Sequence, residues 1–150
     1  MSLLRTRLAK QEDIIQIGSL FDQYRQFYSQ MPDIALATQY IEQRMQNKES
    51  VILVAERNVE LIGFCQLYPT FCSVEAAPIM VLYDLFVSPS ARKTGAGRAL
   101  MMVAQEYAKQ KGFVRLYLST AKTNKTAQSL YQSLGWERDE IYLSYNLGLI

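Results

Sequence analysis

The chain contains no histidine. That absence removes imidazole chemistry: Ser-His-Asp and Cys-His hydrolysis, and zinc sites of the usual kind. Proton transfer is left to carboxylates, tyrosines, lysines or water. Cysteine is nearly as scarce. Cys65 and Cys72 are the only two, too few for a disulfide scaffold and without partners for a metal site, so no metal is expected. Both read as buried or half-buried small residues with nothing to activate them. No apolar run approaches the ~18 residues of a membrane span, and the N-terminus lacks the charged-then-apolar layout of a signal peptide. A cytoplasmic protein with no membrane partner is expected. The net charge is only +2, and its basic residues are scattered apart from Arg92-Lys93, so no nucleic-acid partner is expected either.

What is present is ordinary globular sequence. Its 150 residues, 49% apolar and 20% charged, suit one domain over residues 1–150 that buries about two-thirds of its unfolded surface. No repeat, low-complexity tract or linker interrupts it. Residues 3–8 read as a first strand. Gln11-Glu12-Asp13 then supplies an acidic first turn, followed by Ile14, Ile17, Phe21, Tyr24 and Tyr28 at helical spacing. Pro32-Asp33 opens a second helix with Ala37, Tyr40, Ile41, Arg44 and Met45 along one stripe. Residues 51–55 and 61–68 are β-rich runs joined by a polar turn around Asn58, which predicts a hairpin. Gly63 marks either a bulge or close backbone packing.

Residues 80–87 are nearly continuous apolar sequence broken by Asp84, which predicts a central strand buried on both faces. A helix follows, with Ala96, Leu100, Val103 and Tyr107 on one side and Gly112 at its left-handed cap. Residues 115–119 predict a strand, 126–134 a short helix and 142–147 a last strand. The order is β-α-α-β-β-β-α-β-α-β, an α/β (α+β) fold with helices on the faces of a mixed sheet.

The segment from Leu85 to Leu100 carries the strongest chemical signal. A strand ends, Pro89 turns the chain, a basic glycine loop follows and a helix begins. This order gathers backbone N–H groups and a helix N-terminus around one point, an arrangement suited to a phosphate anion. It is not a Walker loop, because Arg98-Ala99 follows Gly97. It is not the dinucleotide fingerprint, because Leu100 occupies the third glycine position. A plain strand-to-helix turn explains the segment equally well. The second motif runs from Asn124 to Trp136. Ala127, Leu130, Tyr131 and Leu134 share one helix face, so Tyr131 is either a core tyrosine or a site residue, and Asn124 a cap or a ligand contact.

Together, Arg92-x-x-Gly95-x-Gly97 after a Val-x-Pro strand end and Asn124-x-x-Ala127-x-x-Leu130-Tyr131-x-x-x-Gly135-Trp136 resemble the GCN5-related N-acetyltransferase superfamily. The resemblance covers essentially the whole chain and implies a mostly antiparallel mixed sheet, with acetyl-CoA as cosubstrate. By that resemblance, Leu85, Phe86 and Val87 lie in the segment whose backbone pairs with pantetheine. Arg92, Lys93, Thr94, Gly95, Ala96, Gly97 and Arg98 match the loop around the pyrophosphate, and Asn124 a cofactor contact. Tyr131 matches the general acid. Relatives carry an acidic residue just before the cofactor-pairing segment; Tyr83 stands at a position that is glutamate in some, leaving Asp84 as the candidate base or a structural hydrogen-bond acceptor. The acceptor pocket of the superfamily lies near the first two helices, where Tyr24, Tyr28 and Tyr83 are the candidate lining residues and Phe27 reads as core. The implied function is acetyl transfer from acetyl-CoA to a small-molecule or peptide amine by direct attack in a ternary complex. The alternatives are a non-enzymatic acyl-CoA sensing module and a dinucleotide-binding domain. A homodimer is expected by analogy.

Overall fold

Five strands form one sheet in chain order: β1 (Arg5–Leu8), β2 (Val51–Arg57), β3 (Glu60–Cys72), β4 (Ala77–Val87) and β5 (Leu116–Tyr117). This is a computed structural model describing residues 3–150. The first four strands pair antiparallel and β4 pairs parallel with β5, so the expected mixed, mostly antiparallel sheet is present. The predicted hairpin closes through Asn58 and Val59, both with positive φ (54° and 57°), the backbone that a two-residue hairpin turn requires.

Two helices, α1 (Ile14–Phe27) and α2 (Ile34–Gln46), connect β1 to β2. The Asp33 carboxylate accepts from Leu36 N at 3.1 Å and so caps α2. Buried Asp22 on α1 accepts from Asp33 N at 2.9 Å, tying the start of the second helix to the side of the first. The helices approach closely at Gly18, where a Cβ would lie 2.9 Å from Thr38 Cα. Their inward stripes meet the sheet in one core: Ile17, Phe21 and Ile41 pack with Val54, Phe64 and Phe86. Strand alternation places Leu53, Ala55 and Cys65 on the opposite face, where they are fully buried.

The helix α3 (Ala96–Gln110) packs on β2, β3 and β4. Its buried residues are Ala96, Leu100, Met101, Ala104 and Ala108. The predicted stripe was rotated slightly, since Val103 and Tyr107 sit half-buried at its margin. Small residues at 104 and 108 let the helix lie close to the sheet, which a stripe chosen by side-chain size overlooks.

The chain forms two compact units, Met1–Ser119 and Thr120–Ile150. The second holds α4 (Lys125–Ser133), capped by Asn124 and followed by Gly135 at φ 90°. The predicted strand at 142–147 is not formed among the described residues. Ile141, Leu143, Tyr145 and Leu147 alternate as a strand would, yet all are more than four-fifths exposed. A strand exists only when its backbone groups find a ladder partner, and this segment belongs to no sheet.

Two further expectations are corrected. Phe27 is 58% exposed, because it falls one position off the Phe21–Tyr24–Tyr28 stripe. The strand β4 is not buried on both faces throughout: Met80, Leu82, Asp84 and Phe86 are buried, whereas Tyr83 is 66% exposed.

Candidate active site

The exposure of Tyr83 has a backbone cause. Gln66 pairs with Asp84 but its neighbour Leu67 pairs with Leu82, so Tyr83 is an extra residue bulged out of β4. A second bulge sits in β3, where Ala55 pairs with Gly63 and Glu56 with Leu61. The extra residue there is Ile62, and its carbonyl accepts from Ser88 N at 2.8 Å, anchoring the end of β4. Gly63 serves the close approach: a Cβ on it would stand 2.9 Å from Phe86 O.

On its other edge β4 pairs with β5 only through Met80 and Val81. Residues 82–87 then continue with no strand beside them on that edge among the described residues. Leu85, Phe86 and Val87 therefore stand in a strand whose outer ladder is open. A short amide-containing chain is the natural complement of such an edge.

Asp84 is 6% exposed. Its carboxylate accepts from Gln66 Nε2 at 2.8 Å, and Gln66 Oε1 accepts from Ser50 Oγ at 2.8 Å. The Tyr24 hydroxyl, 3.3 Å from the Tyr83 carbonyl, also reaches the Asp84 carboxylate. Burial holds the Asp84 carboxyl above its usual range, although the Gln66 and Tyr24 hydrogen bonds pull it down. Burial, with Asp84 nearby, also pushes the Cys65 thiol up, so Cys65 is not a nucleophile at neutral pH.

Aromatic rings surround this carboxylate's approach. Tyr24 packs edge-on against Phe64, Phe86 and Tyr28, with centroids 5.9, 6.0 and 5.1 Å away. Tyr83 meets Tyr68 edge-on at 5.7 Å, and the Tyr68 and Tyr40 hydroxyls are 2.6 Å apart. Burial first, then that hydroxyl pair, raises the Tyr68 pKa. Tyr24 and Tyr83 thus come together, and Tyr28, 45% exposed, extends the cluster toward solvent.

The loop after β4 folds back on its own strand. Arg92 Nε donates to Val87 O at 3.0 Å, and its guanidinium carbon lies 5.6 Å from the Phe86 ring centre. Thr94 Oγ1 donates to Ala91 O at 2.7 Å. Lys93 (φ 64°) and Gly95 (φ 87°) are both left-handed, and Gly95 is the N-cap of α3. Nothing lies within 4 Å of a Cβ on Gly95; its requirement is the backbone angle and the open space before the helix. Ala96 N donates to Thr94 Oγ1 at 3.4 Å, and helix geometry leaves the following first-turn N–H groups of α3, beginning at Gly97, without intrahelical acceptors, the kind of end that suits an anion.

In the second unit, Asn124 Oδ1 accepts from Ala127 N at 3.2 Å, so its side chain caps α4. Ala127, Leu130, Tyr131 and Leu134 are the half-buried face of α4, and no residue of that helix is fully buried. The Tyr131 ring lies 6.1 Å from that of Trp136. Gln66, Ser50 and Tyr68 carry no sequence expectation, and Tyr40 stands in the sequence reading only as part of the α2 stripe. A glutamine inside the apolar run 61–68 was the available signal, since a polar group buried in a strand must have a partner.

A mixed sheet that opens beside β4, with a glycine loop and helix start at the strand's end, defines an acyltransferase fold. The acetyltransferase (GNAT) family model matches residues 17–136, and the chain belongs to that family, whose acetyl donor is acetyl-CoA. The chain is 47% identical to the uncharacterized N-acetyltransferase YhfO of Bacillus subtilis over 146 residues, 97% of this chain and 98% of the relative. It is 31% identical to a probable acetyltransferase of Haemophilus influenzae, covering 84% and 83% of the two chains. The crystal structure of a probable acetyltransferase, 33% identical, superposes with a TM-score of 0.90 over 97% of this chain and 98% of that one. Family membership makes the protein an enzyme and sets aside the sensing and dinucleotide alternatives. No helix among the described residues is long and apolar enough to cross a membrane.

Proposed function

We propose that the enzyme transfers acetyl from acetyl-CoA to an amine nitrogen by direct attack in a ternary complex. The observation that carries this reading is the open outer edge of β4 over residues 82–87, leading directly into the glycine loop and the first turn of α3. The edge at Leu85, Phe86 and Val87 pairs with the pantetheine arm, and its amides polarise the thioester carbonyl. Backbone donors of the loop from Arg92 to Arg98 hold the diphosphate.

An amine with pKa ~10.4 is neutral in about one molecule in 2,500 at pH 7, so freeing its lone pair costs roughly 4.6 kcal/mol. Asp84 is the base that recovers part of this, directly or through Tyr24 or a water. The new C–N bond forms as the C–S bond breaks, and the CoA thiolate leaves. Tyr131 donates to that sulfur. Because a thiol (pKa ~8.5) is a stronger acid than a tyrosine (~10), full proton transfer is uphill by roughly 2 kcal/mol, and hydrogen bonding to the sulfur is the larger part of its role. Asn124 holds the N-terminus of the helix that carries Tyr131 and contacts the donor.

The test is CoA-thiol release from acetyl-CoA across a panel of small amines, aminoglycosides, amino acids and peptides. Amine-dependent release establishes the transferase and its acceptor class; release without dependence on any amine overturns the reading. Tyr131→Phe is expected to lower turnover while acetyl-CoA affinity, read by calorimetry, stays within about two-fold. An unchanged rate removes the leaving-group role.

A further inference from the structure

Gln66 is fully buried in β3, inside the buried run from Leu61 to Leu67. A primary amide, donor at one end and acceptor at the other, is costly there unless both ends are engaged. Both are. Nε2 donates to Asp84 Oδ2 at 2.8 Å, and Oε1 accepts from Ser50 Oγ at 2.8 Å. The side chain is a bridge between a carboxylate that is itself 6% exposed and a half-buried serine just before β2.

The bulge at Tyr83 brings this pair together. Toward the start of β4 the ladder sets Tyr68 opposite Val81 and Leu67 opposite Leu82; past Tyr83 it sets Gln66 opposite Asp84. Continued without the extra residue, the first register would place Asp84 opposite Cys65. Its side chain would then share the face of Cys65 and leave the face of Phe64 and Tyr24.

The two side-chain donors to the carboxylate differ in kind. The Tyr24 hydroxyl reaches it from α1, but the Tyr83 carbonyl, 3.3 Å from that hydroxyl, is a second acceptor for the same proton. Gln66 Nε2 can only donate, and with Oε1 taken by Ser50 the amide presents that end to Asp84. Two apolar residues facing each other across β3 and β4 would serve the fold as well; what the pair adds is a buried carboxylate with one committed donor.

Resting on Asp84 as the base of the proposed transfer, we infer that Gln66 is a positioning residue of the reaction: its amide, set by Ser50, fixes the Asp84 carboxylate and favours its ionised, proton-accepting form. Burial pushes the Asp84 carboxyl up, and the Gln66 donor is the larger of the two contacts that pull it back. Loss of that donor raises the carboxyl further and lowers its ionised fraction at a given pH. The other titratable groups around it do not share its range. Tyr68 and Cys65 on β3 sense its charge and are themselves kept neutral by burial. Tyr24 of α1 donates to it, and Arg44 of α2, beside Tyr40 and Tyr68, stays cationic.

The experiment reads the carboxyl and the reaction separately. Enzyme labelled with carbon-13 at the aspartate carboxyls is titrated by NMR, the Asp84 resonance being the one lost in Asp84→Asn. Gln66→Met keeps the side-chain length and removes the donor. It is expected to move the Asp84 titration to higher pH, cutting the ionised fraction on its acid side about ten-fold or more, as for loss of a hydrogen bond to a charged group. Ser50→Ala, which frees the far end of the amide, is expected to move it less in the same direction, and Ser50→Thr to return it toward wild type. Thermal melts accompany each variant; should Gln66→Met lose its fold, the Ser50 pair carries the same test. In CoA-thiol release with the amine that the panel identifies, the ratio of variant to wild-type rate cancels the ionisation of the amine itself. That ratio is expected to level off at high pH and to fall by the same factor on the acid side. An Asp84 titration unmoved in Gln66→Met and in Ser50→Ala overturns the inference, whatever the transfer assay shows. A titration that moves while the rate ratio stays flat with pH removes Asp84 as the base, and with it the part of Gln66 in the reaction.

Discussion

At the scale of single residues, Asp84 illustrates what the sequence offers and where it stops. An acid in the middle of an apolar strand is visible in any reading, because a carboxylate is rarely buried without a purpose. The Gln66–Ser50 chain that holds it and the Tyr24 hydroxyl above it come from elements eighteen to sixty residues away, and only the fold brings them together. Asp84→Asn separates chemistry from structure. Asparagine still accepts from Gln66, and it removes a charge that burial disfavours. Stability at pH 7 is therefore expected to hold or rise, while kcat/KM falls about 100-fold, as for loss of a general base. With Asp84 as the proposed base, the wild-type rate is expected to climb with pH through its raised pKa and the variant to lack that limb. A pH–rate profile beside a thermal melt checks both, and full activity in the asparagine form removes Asp84 from the chemistry.

At the scale of elements, helices and antiparallel pairs were legible because period and turn chemistry are local. The α2 stripe from Ala37 to Met45, the hairpin and the Asp33 cap all stand where the pattern places them. Bulges were not legible, since an extra residue at Tyr83 or Ile62 is defined by the register of the opposite strand. The last strand failed in the reverse sense: residues 141–147 alternate correctly, but the pattern says nothing about whether an edge receives them. The hairpin turn carries a local conflict that can be measured. Val59 is β-branched, 86% exposed and held at φ 57°, a conformation that costs an L-residue roughly 1–2 kcal/mol. Val59→Gly relieves it and loses no packing. After the extra chain entropy of glycine, a gain of about 0.5–1 kcal/mol is expected, seen as a rise of roughly 2–3 °C in Tm.

At the scale of the whole molecule, one ionic knot joins three parts of the first unit. Arg7 on β1 spans Asp13 before α1 (2.7 and 3.0 Å) and Glu56 on β2 (2.8 and 3.1 Å), and Asp13 also accepts from Lys10 N. Asp13 is 4% exposed, and the Arg7 hydrogen bonds hold its pKa below the ordinary value. Its contribution is complete above the unfolded value of ~3.9 and is lost as pH falls through the lower folded one. Asp84 acts oppositely: its folded pKa is raised, so its protonation favours the native state and its ionised form costs stability near neutrality. Asp13→Asn is expected to cost about 2 kcal/mol at pH 7, and urea unfolding should show that difference closing toward pH 2–3. A gap that persists there assigns the loss to packing instead of charge.

The open edge of β4 also has a bearing on how the protein behaves in concentrated solution. An open row of amides and carbonyls can receive any extended chain, and unsatisfied strand borders are where polypeptides add to one another and aggregate. Most proteins blunt such a border with charge or proline, and here residues 82–87 hold no proline and a single charged residue, Asp84, which is buried. Under the proposed assignment, the donor is the cover. On that reading, enzyme stripped of acetyl-CoA is expected to self-associate more readily than donor-bound enzyme, a difference that light scattering at matched concentration checks.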